Sequence, residues 1–329
     1  MRLGYKASAE QFGPSELLEF ARHAERTGLE IVAVSDHFQP WRHHGGHGPA
    51  ALTWLGAAAT ATENAVLGTS VLTPTLRYHP SVVAQAFGTL ACLAPGRVFL
   101  GVGTGEAMNE TPATGEVFPG RKERRLRLAE AIDLIRRLWT EERVDFDGEW
   151  YRTSKATIYD RPEEPVPIYV AASGPLAAKL AGRAGDGFIC TSGKDPALYE
   201  ELLGKVAEGA EAAGRDPGSI RRMIEVKVSY DRDRQAAFDN CRWWAALALA
   251  PEQKEGVEDP IEMERLADEN ADKAPTRFIC SDDPEEIAAG IRRYADLGFD
   301  ELVIHAPGED QARFLDQFGE DVMPLLRDG

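Results

Sequence analysis

The chain has 329 residues, 43% of them hydrophobic, and a formal net charge of −17. A chain of this size can bury a large core, as one large domain or as two. Its acidity argues against nucleic acid and anionic membrane surfaces as partners, and any anionic ligand must be caught by a local group of cations.

One pattern recurs along the chain: a short apolar or β-branched run, a turn rich in Gly, Ser, Thr or Asp, and then an amphipathic stretch. RLGYKA leads to SELLEFARHAERTG, where Leu17, Leu18, Ala21 and Ala24 keep helical spacing and Gly28 supplies the stop. LEIVAVSD leads to AALTWLGAAATATE, AVLGTSVLTP to PSVVAQAFGTLACLAP, and RVFLGVGTG, after a loop, to RLRLAEAIDLIRRLWTEE. PIYVAASG leads to PLAAKLAGRAG, and GFICTSG to LYEELLGKVAEGAEAAG. RMIEVKVSY precedes RQAAFDNCRWWAALAL, and ELVIHAPG precedes the last helix, DQARFLDQFGEDVMPLL. Eight such units, with strands apolar enough for a parallel sheet covered on both faces, predict a (β/α)8 TIM barrel. A doubly wound sheet also fits the alternation.

Three stretches interrupt the rhythm: a loop at about 106–122, an alternating segment at 144–162 that reads as an added hairpin pair, and a long polar insertion at 250–278. Insertions of this size in a barrel tend to sit over an active site. The expectation is a single barrel domain over residues 1–329 carrying these insertions. Trp139 and the Trp243–Trp244 pair are most simply core or subunit contacts. Cys92, Cys190, Cys241 and Cys280 are far apart and form no CxxC, which fits a reducing, cytoplasmic compartment. The N-terminus has no apolar signal segment, and no apolar run reaches the roughly 18 residues of a membrane span.

Barrel enzymes carry their chemistry at the C-terminal ends of the strands. Those ends here hold Ser35-Asp36-His37, Ser70-Val71-Leu72-Thr73, Thr104-Gly105-Glu106, Ser173-Gly174-Pro175, Thr191-Ser192-Gly193-Lys194 and His305. An acid, a base, several hydroxyls and a lysine therefore converge on one mouth. The stretch around His37, His43, His44 and His47 raises the question of a metal site, but adjacent His43 and His44 diverge on most backbones, and no HxH or HExxH follows. A base at His37 is the better reading, with no metal. LGVGTGEAMNE spaces its glycines as GxGxG and lies on the fourth strand, so it is not a dinucleotide fingerprint. Its small residues instead let a flat ligand approach the backbone beside Glu106. Gly174 and Pro175 open a helix whose free N–H groups suit a phosphate or carboxylate. Lys194, Lys254 and Arg277 are candidates for a second anion site.

The blocks LGYKASAEQF, SDHFQPWRH, LGTSVLTPT, RVFLGVGTGEA, AGRAGDGFICTSGK and DPIEME resemble, over nearly the whole chain, the F420-dependent glucose-6-phosphate dehydrogenases of the luciferase-like superfamily. The resemblance implies coenzyme F420, a deazaflavin with a phosphorylated oligoglutamate tail. It also implies hydride transfer from C1 of a sugar 6-phosphate to the deazaflavin C5, giving the 6-phospho-lactone. His37 and Glu106 would then be the acid/base groups, with Trp41 beside the developing charge; the motif leaves open which of the two takes the sugar proton. Asp36, Thr73, Thr104, Gly105, Asn109, Ser173, Gly174, Leu176 and Ala177 map to cofactor contacts. Ser70-Val71 maps to a non-prolyl cis peptide backing the ring. Thr191, Lys194, Lys254 and Arg277 would hold the sugar phosphate. Family members are homodimers.

Two departures bear on which hexose 6-phosphate is used: the loop after Glu106 reads shorter than the family's, and Glu255 stands beside Lys254. The rival readings are an FMN-dependent luciferase-like monooxygenase, an F420-dependent reductase on another substrate, a metal-dependent barrel hydrolase and a non-enzymatic binding protein. A monooxygenase has no use for the three cations, and a binding protein none for the acid/base pair.

Overall fold

Alternation within the apolar runs sets the architecture. The computed structural model of the protein describes residues 1–254 and 256–327. Its strands are β1 (Arg2–Ala7), β2 (Ile31–Val34), β3 (Val66–Thr69), β4 (Val98–Val102), β5 (Val144–Asp147), β6 (Arg152–Ala156), β7 (Ile168–Ala171), β8 (Gly187–Thr191), β9 (Arg221–Tyr230), β10 (Ile279–Ser281) and β11 (Glu301–His305). The eight predicted runs close a parallel ring in the order β1-β2-β3-β4-β7-β8-β9-β11, with β11 pairing back onto β1. An open doubly wound sheet would leave two edges; this ring leaves none, so the barrel reading holds.

Along each ring strand, alternate side chains face the lumen. Ile31, Ala33, Phe99, Tyr169, Ile189, Met223 and Val303 fill it. Their neighbours, among them Tyr5, Val32, Leu100, Val170 and Ile224, pack outward beneath the helices. Helix Pro14–Thr27 shows how that outer layer forms. Leu17, Ala21 and Ala24 make one buried stripe, Pro14 occupies the first position, and Gly28 at φ 93° ends the helix with its N–H on the Ala24 and Glu25 carbonyls. Burying Leu17 contributes about 1.5–3 kcal/mol, and a side chain at Gly28 would meet both the left-handed backbone and Arg327.

The structure differs from the sequence reading in four places. The stretch after Glu106 is not only a loop: Ala107–Thr114 is helical. The run from Arg234 to Ala248 is not one helix but an α-helix, Arg234–Asp239, followed by a 3-10 segment kinked at Trp244. Insertion 250–278 is less polar in its role than in its composition. Its Met263, Ala267, Ala274 and Phe278 bury against Met108, Cys241, Trp244 and Leu249, making a small core over the barrel mouth. Finally, helix Pro284–Asp296 and strand β10, which extends β9 at Val228–Tyr230, precede the last ring strand and were not predicted. The hairpin at 144–162 is present as antiparallel β5 and β6. Trp139 and Trp244 are core residues rather than subunit contacts, with indole N–H groups donating to the Ala84 carbonyl and the Gln11 side chain. Among the described residues no helix is long and apolar enough to cross a membrane.

Candidate active site

The ring strands end at one rim, over a cavity of about 970 Å³. Its wall includes His37, Trp41 and Glu106; Asp36, Ser70, Val71, Thr73, Thr104, Gly105, Asn109 and Ser173; and Thr191, Lys194, Lys254 and Arg277. Gly174, Leu176 and Ala177 do not line it. They form the rim at the start of helix Pro175–Ala184, where no side chain caps the first turn and Leu176 is exposed.

His37 leaves the end of β2 and is held from both sides. Its Nε2 lies 3.2 Å from Glu10 Oε1, and its Nδ1 lies 3.2 Å from Asn109 Nδ2. Asn109 Oδ1 accepts the N–H groups of Phe38 and Gln39, at 2.8 and 3.1 Å, so its amide nitrogen is the end turned to His37. An amide nitrogen only donates, hence His37 Nδ1 is the acceptor and Nε2 faces the Glu10 carboxylate. Burial alone would raise the Glu10 carboxyl. The charges of His37 and Lys6 and the Ser35 hydroxyl outweigh it and hold the group below the usual range. Trp41 stands 6.4 Å from the His37 ring, centroid to centroid, and Lys254 Nζ lies 5.5 Å over the Trp41 ring. Glu106 precedes the helix at Ala107 and is exposed at the mouth. Asp36 is spoken for by the protein: its carboxylate takes Arg77 at 2.7 Å, Tyr78 at 3.3 Å and the Ala51 N–H at 3.2 Å.

Between β3 and β7 the wall is flat and short of side chains. The Ser70–Val71 peptide is cis. A Cβ at Gly103 would lie 2.7 Å from Val71 Cγ2, and one at Gly105, where φ is 78°, would lie 3.0 Å from Thr73 Cγ2. Val71, Gly103, Ala171 and Ala172 therefore offer a planar ligand a largely apolar platform continuous with the lumen packing. This fits a tricyclic ring.

The opposite side is cationic. Lys194 and Lys254 are both depressed from the usual lysine range, chiefly by burial. Arg277 has a buried Nε without a partner. Among the described residues Lys194, Lys254 and Arg277 enter no ion pair. Glu255 lies outside the described residues. Of the remaining histidines in the loop, His43 and His44 pack edge to face, His44 Nδ1 lies 3.0 Å from Glu264, and all of His43, His44 and His47 are exposed. Among the described residues no group of three His, Cys, Asp or Glu side chains could hold a metal ion.

A match to the luciferase-like monooxygenase family covers residues 1–301. The F420-dependent glucose-6-phosphate dehydrogenase of Intrasporangium calvum is 60% identical over 331 residues, covering 99% of both chains. This chain belongs to that family. The enzyme of the same name from Nakamurella multipartita is also 60% identical, over 99% of this chain and 97% of its own. Among solved structures, an F420-dependent secondary alcohol dehydrogenase in complex with an F420–acetone adduct superposes with a TM-score of 0.93 at 36% identity, covering 99% of each chain.

Sequence reading missed Lys6, Glu10, Glu225 and Lys227, all of which line the cavity. The signal was available. In RMIEVKVSY, Met223, Glu225 and Lys227 share the lumen face with Lys6 of RLGYKA, so charged residues alternate inside runs that read as simply apolar.

Proposed function

We propose that the protein is an F420-dependent sugar-6-phosphate dehydrogenase, oxidising glucose 6-phosphate to 6-phosphogluconolactone. One observation carries this reading: a single cavity sets an oriented histidine between a flat, glycine-pared wall and a set of cations that enter no ion pair among the described residues. The names of the full-length relatives support it. Bound F420 supplies a hydride acceptor at its C5. Ser70, Val71, Thr73, Thr104 and Gly105 would lie along its ring, Asp36 and Asn109 would order the loop beside it, and Ser173, Gly174, Leu176 and Ala177 would present N–H groups to its phosphorylated tail.

The chain's own residues then have distinct tasks. Thr191, Lys194, Lys254 and Arg277 bind the substrate phosphate, which fixes C1 at the far end of the cavity. His37 takes the proton of the C1 hydroxyl at its unprotonated nitrogen, Nδ1, as hydride leaves, and the ionised Glu10 carboxylate, which accepts from Nε2–H, stabilises the imidazolium that forms. Trp41 closes over that group, and Glu106, at the mouth, exchanges a proton through its carboxyl oxygen on the cofactor side.

The same reading takes the chain as a single barrel domain of carbohydrate metabolism, cytoplasmic and homodimeric. Four free thiols fit a reducing compartment. Exposed Val82 and Leu93 on helix Pro80–Leu93 and Leu126 on the adjoining helix Arg121–Thr140 offer an apolar face for a second copy. Light scattering on the purified chain checks the dimer.

The direct test mixes the protein with oxidised F420 and glucose 6-phosphate and follows loss of visible absorbance. Mannose 6-phosphate, fructose 6-phosphate and free glucose run in parallel. Bleaching with glucose 6-phosphate but not glucose is expected. Faster bleaching with another hexose phosphate would move the substrate and keep the mechanism. Tight F420 binding without bleaching by any sugar phosphate would overturn the dehydrogenase reading in favour of a reductase.

A further inference from the structure

Lys227 has no part in the assignments above. It lines the cavity from β9, two residues beyond Glu225 on the same face, and is 3% exposed. Its Nζ donates to the Ser192 carbonyl at 2.8 Å, and its backbone N–H donates to Ser192 Oγ at 2.9 Å. An ammonium carries three donors, so two of these have no protein partner among the described residues. The neighbouring carboxylate is already committed: Glu225 holds Lys6 Nζ at 3.2 Å through one oxygen and His305 Nδ1 at 3.2 Å through the other. Lys227 enters no ion pair among the described residues.

Lys194 and Arg277 meet Lys227 at the turn it holds. Ser192, Gly193 and Lys194 form that turn, pinned by Tyr294 OH on the Gly193 N–H and Tyr199 OH on the Lys194 N–H. Gly193 has φ 83°, and a Cβ there would lie 3.7 Å from Arg277 Nη2, so the guanidinium rests against the turn. Lys194 leaves the turn itself. Burial pushes the Lys227 ammonium down to about 8; Glu225 opposes this, and the charges of Arg277 and Lys194 add to it. Buried cations that repel one another and enter no ion pair carry a desolvation and repulsion cost that a bound dianion reverses.

We infer that Lys227 is a fourth cation of the phosphate clamp, binding the substrate dianion from the barrel floor while Lys194, Lys254 and Arg277 bind it from the rim. The inference rests on the sugar-phosphate reading of the cavity.

The test compares Lys227→Met and Lys227→Gln with the unaltered chain. Calorimetric titration with inorganic phosphate measures the clamp without turnover. Steady-state assays give KM and kcat for glucose 6-phosphate, and F420 binding reports whether the cavity is intact. Loss of one charge-assisted contact is expected to raise the phosphate Kd and the KM about 10- to 100-fold in both variants, with kcat and F420 affinity moving far less. A Lys227→Gln chain with unchanged phosphate affinity would overturn the inference, because an amide can keep the bond to the Ser192 carbonyl and Lys227 would then be only a tether. Unchanged phosphate affinity in both variants would overturn it as well, as would equal loss of F420 binding, which marks general collapse of the cavity. An unaltered chain that binds phosphate through Lys227 yet never bleaches F420 with sugar phosphate would sink the dehydrogenase reading and leave the clamp standing.

Discussion

In the proposed reaction it is orientation, rather than mere presence, that suits His37 to act as the base. Asn109 fixes one ring nitrogen as an acceptor and Glu10 takes the other edge, so the imidazole has a defined tautomer. His37→Gln is expected to lower kcat about 10²- to 10⁴-fold with little change in KM, since the phosphate is held elsewhere. Glu10→Gln keeps the shape and removes the charge, and its kcat should fall between those of His37→Gln and the unaltered chain. An unchanged kcat would remove Glu10 from the mechanism. Lys227 allows a second test, with two opposite signs. Its folded value, about 8, lies below that of an unfolded chain, about 10.4. Between these values the unfolded chain binds more protons, so this group's contribution to stability rises with pH. Dianion binding should move the other way, weakening as pH rises through about 8, because the same group loses its charge. Urea unfolding and KM, each measured at pH 8 and 9.5 for the unaltered chain and Lys227→Met, would reveal the crossing trends. Parallel trends in the two chains would mean that Lys227 is not the titrating group.

The strand ends explain why some of this was legible in sequence and some was not. The eight ring strands announce themselves because burial on both faces demands unbroken apolar runs, and chemistry that follows a run, as at Asp36-His37 or Thr104-Gly105-Glu106, is easily found. Charges inside a run are harder to see, since Lys6, Glu225 and Lys227 each stand between apolar neighbours and only closure of the ring turns them inward together. The kink at Trp244 was hidden for a related reason: local periodicity continues through it, and the break arises from packing on Gln11, which is far away in sequence. Helix Pro284–Asp296 had a visible stripe in Ile287, Ala288 and Ile291, but it follows a long polar insertion that drew the reading past it. The β4 end gives the element-scale prediction. Gly103→Val adds atoms where even a Cβ comes within 2.7 Å of Val71. It should push the flat wall outward and weaken F420 binding about 10- to 100-fold, a range set by about 1.4–2.8 kcal/mol of lost contact. Phosphate affinity, governed by the β8 and β9 side of the cavity and the 250–278 insertion, should stay within about twofold. Equal loss of both ligands would show that the two walls are not independent.

At the scale of the whole molecule the charge is paradoxical, because a protein of net charge −17 is asked to bind a dianion. Two fields act on the substrate, and salt separates them. The diffuse acidic surface repels it at long range, and screening reduces this once the Debye length falls to about 8–10 Å at 0.1–0.15 M. The proposed clamp would attract at contact from partly or fully buried groups, where mobile ions screen much less. Raising sodium chloride from about 10 to about 150 mM should therefore leave the KM for glucose 6-phosphate within about twofold, or lower it as repulsion is relieved. Sodium sulfate at matched ionic strength should behave differently, because sulfate is itself a dianion of similar shape and can occupy the clamp. The expected pattern is a KM that climbs with sulfate while kcat holds, against a nearly flat response to chloride. A steep rise with chloride as well would place the attraction on exposed lysines and arginines. The uncompensated cations around the Ser192–Lys194 turn would then need another explanation.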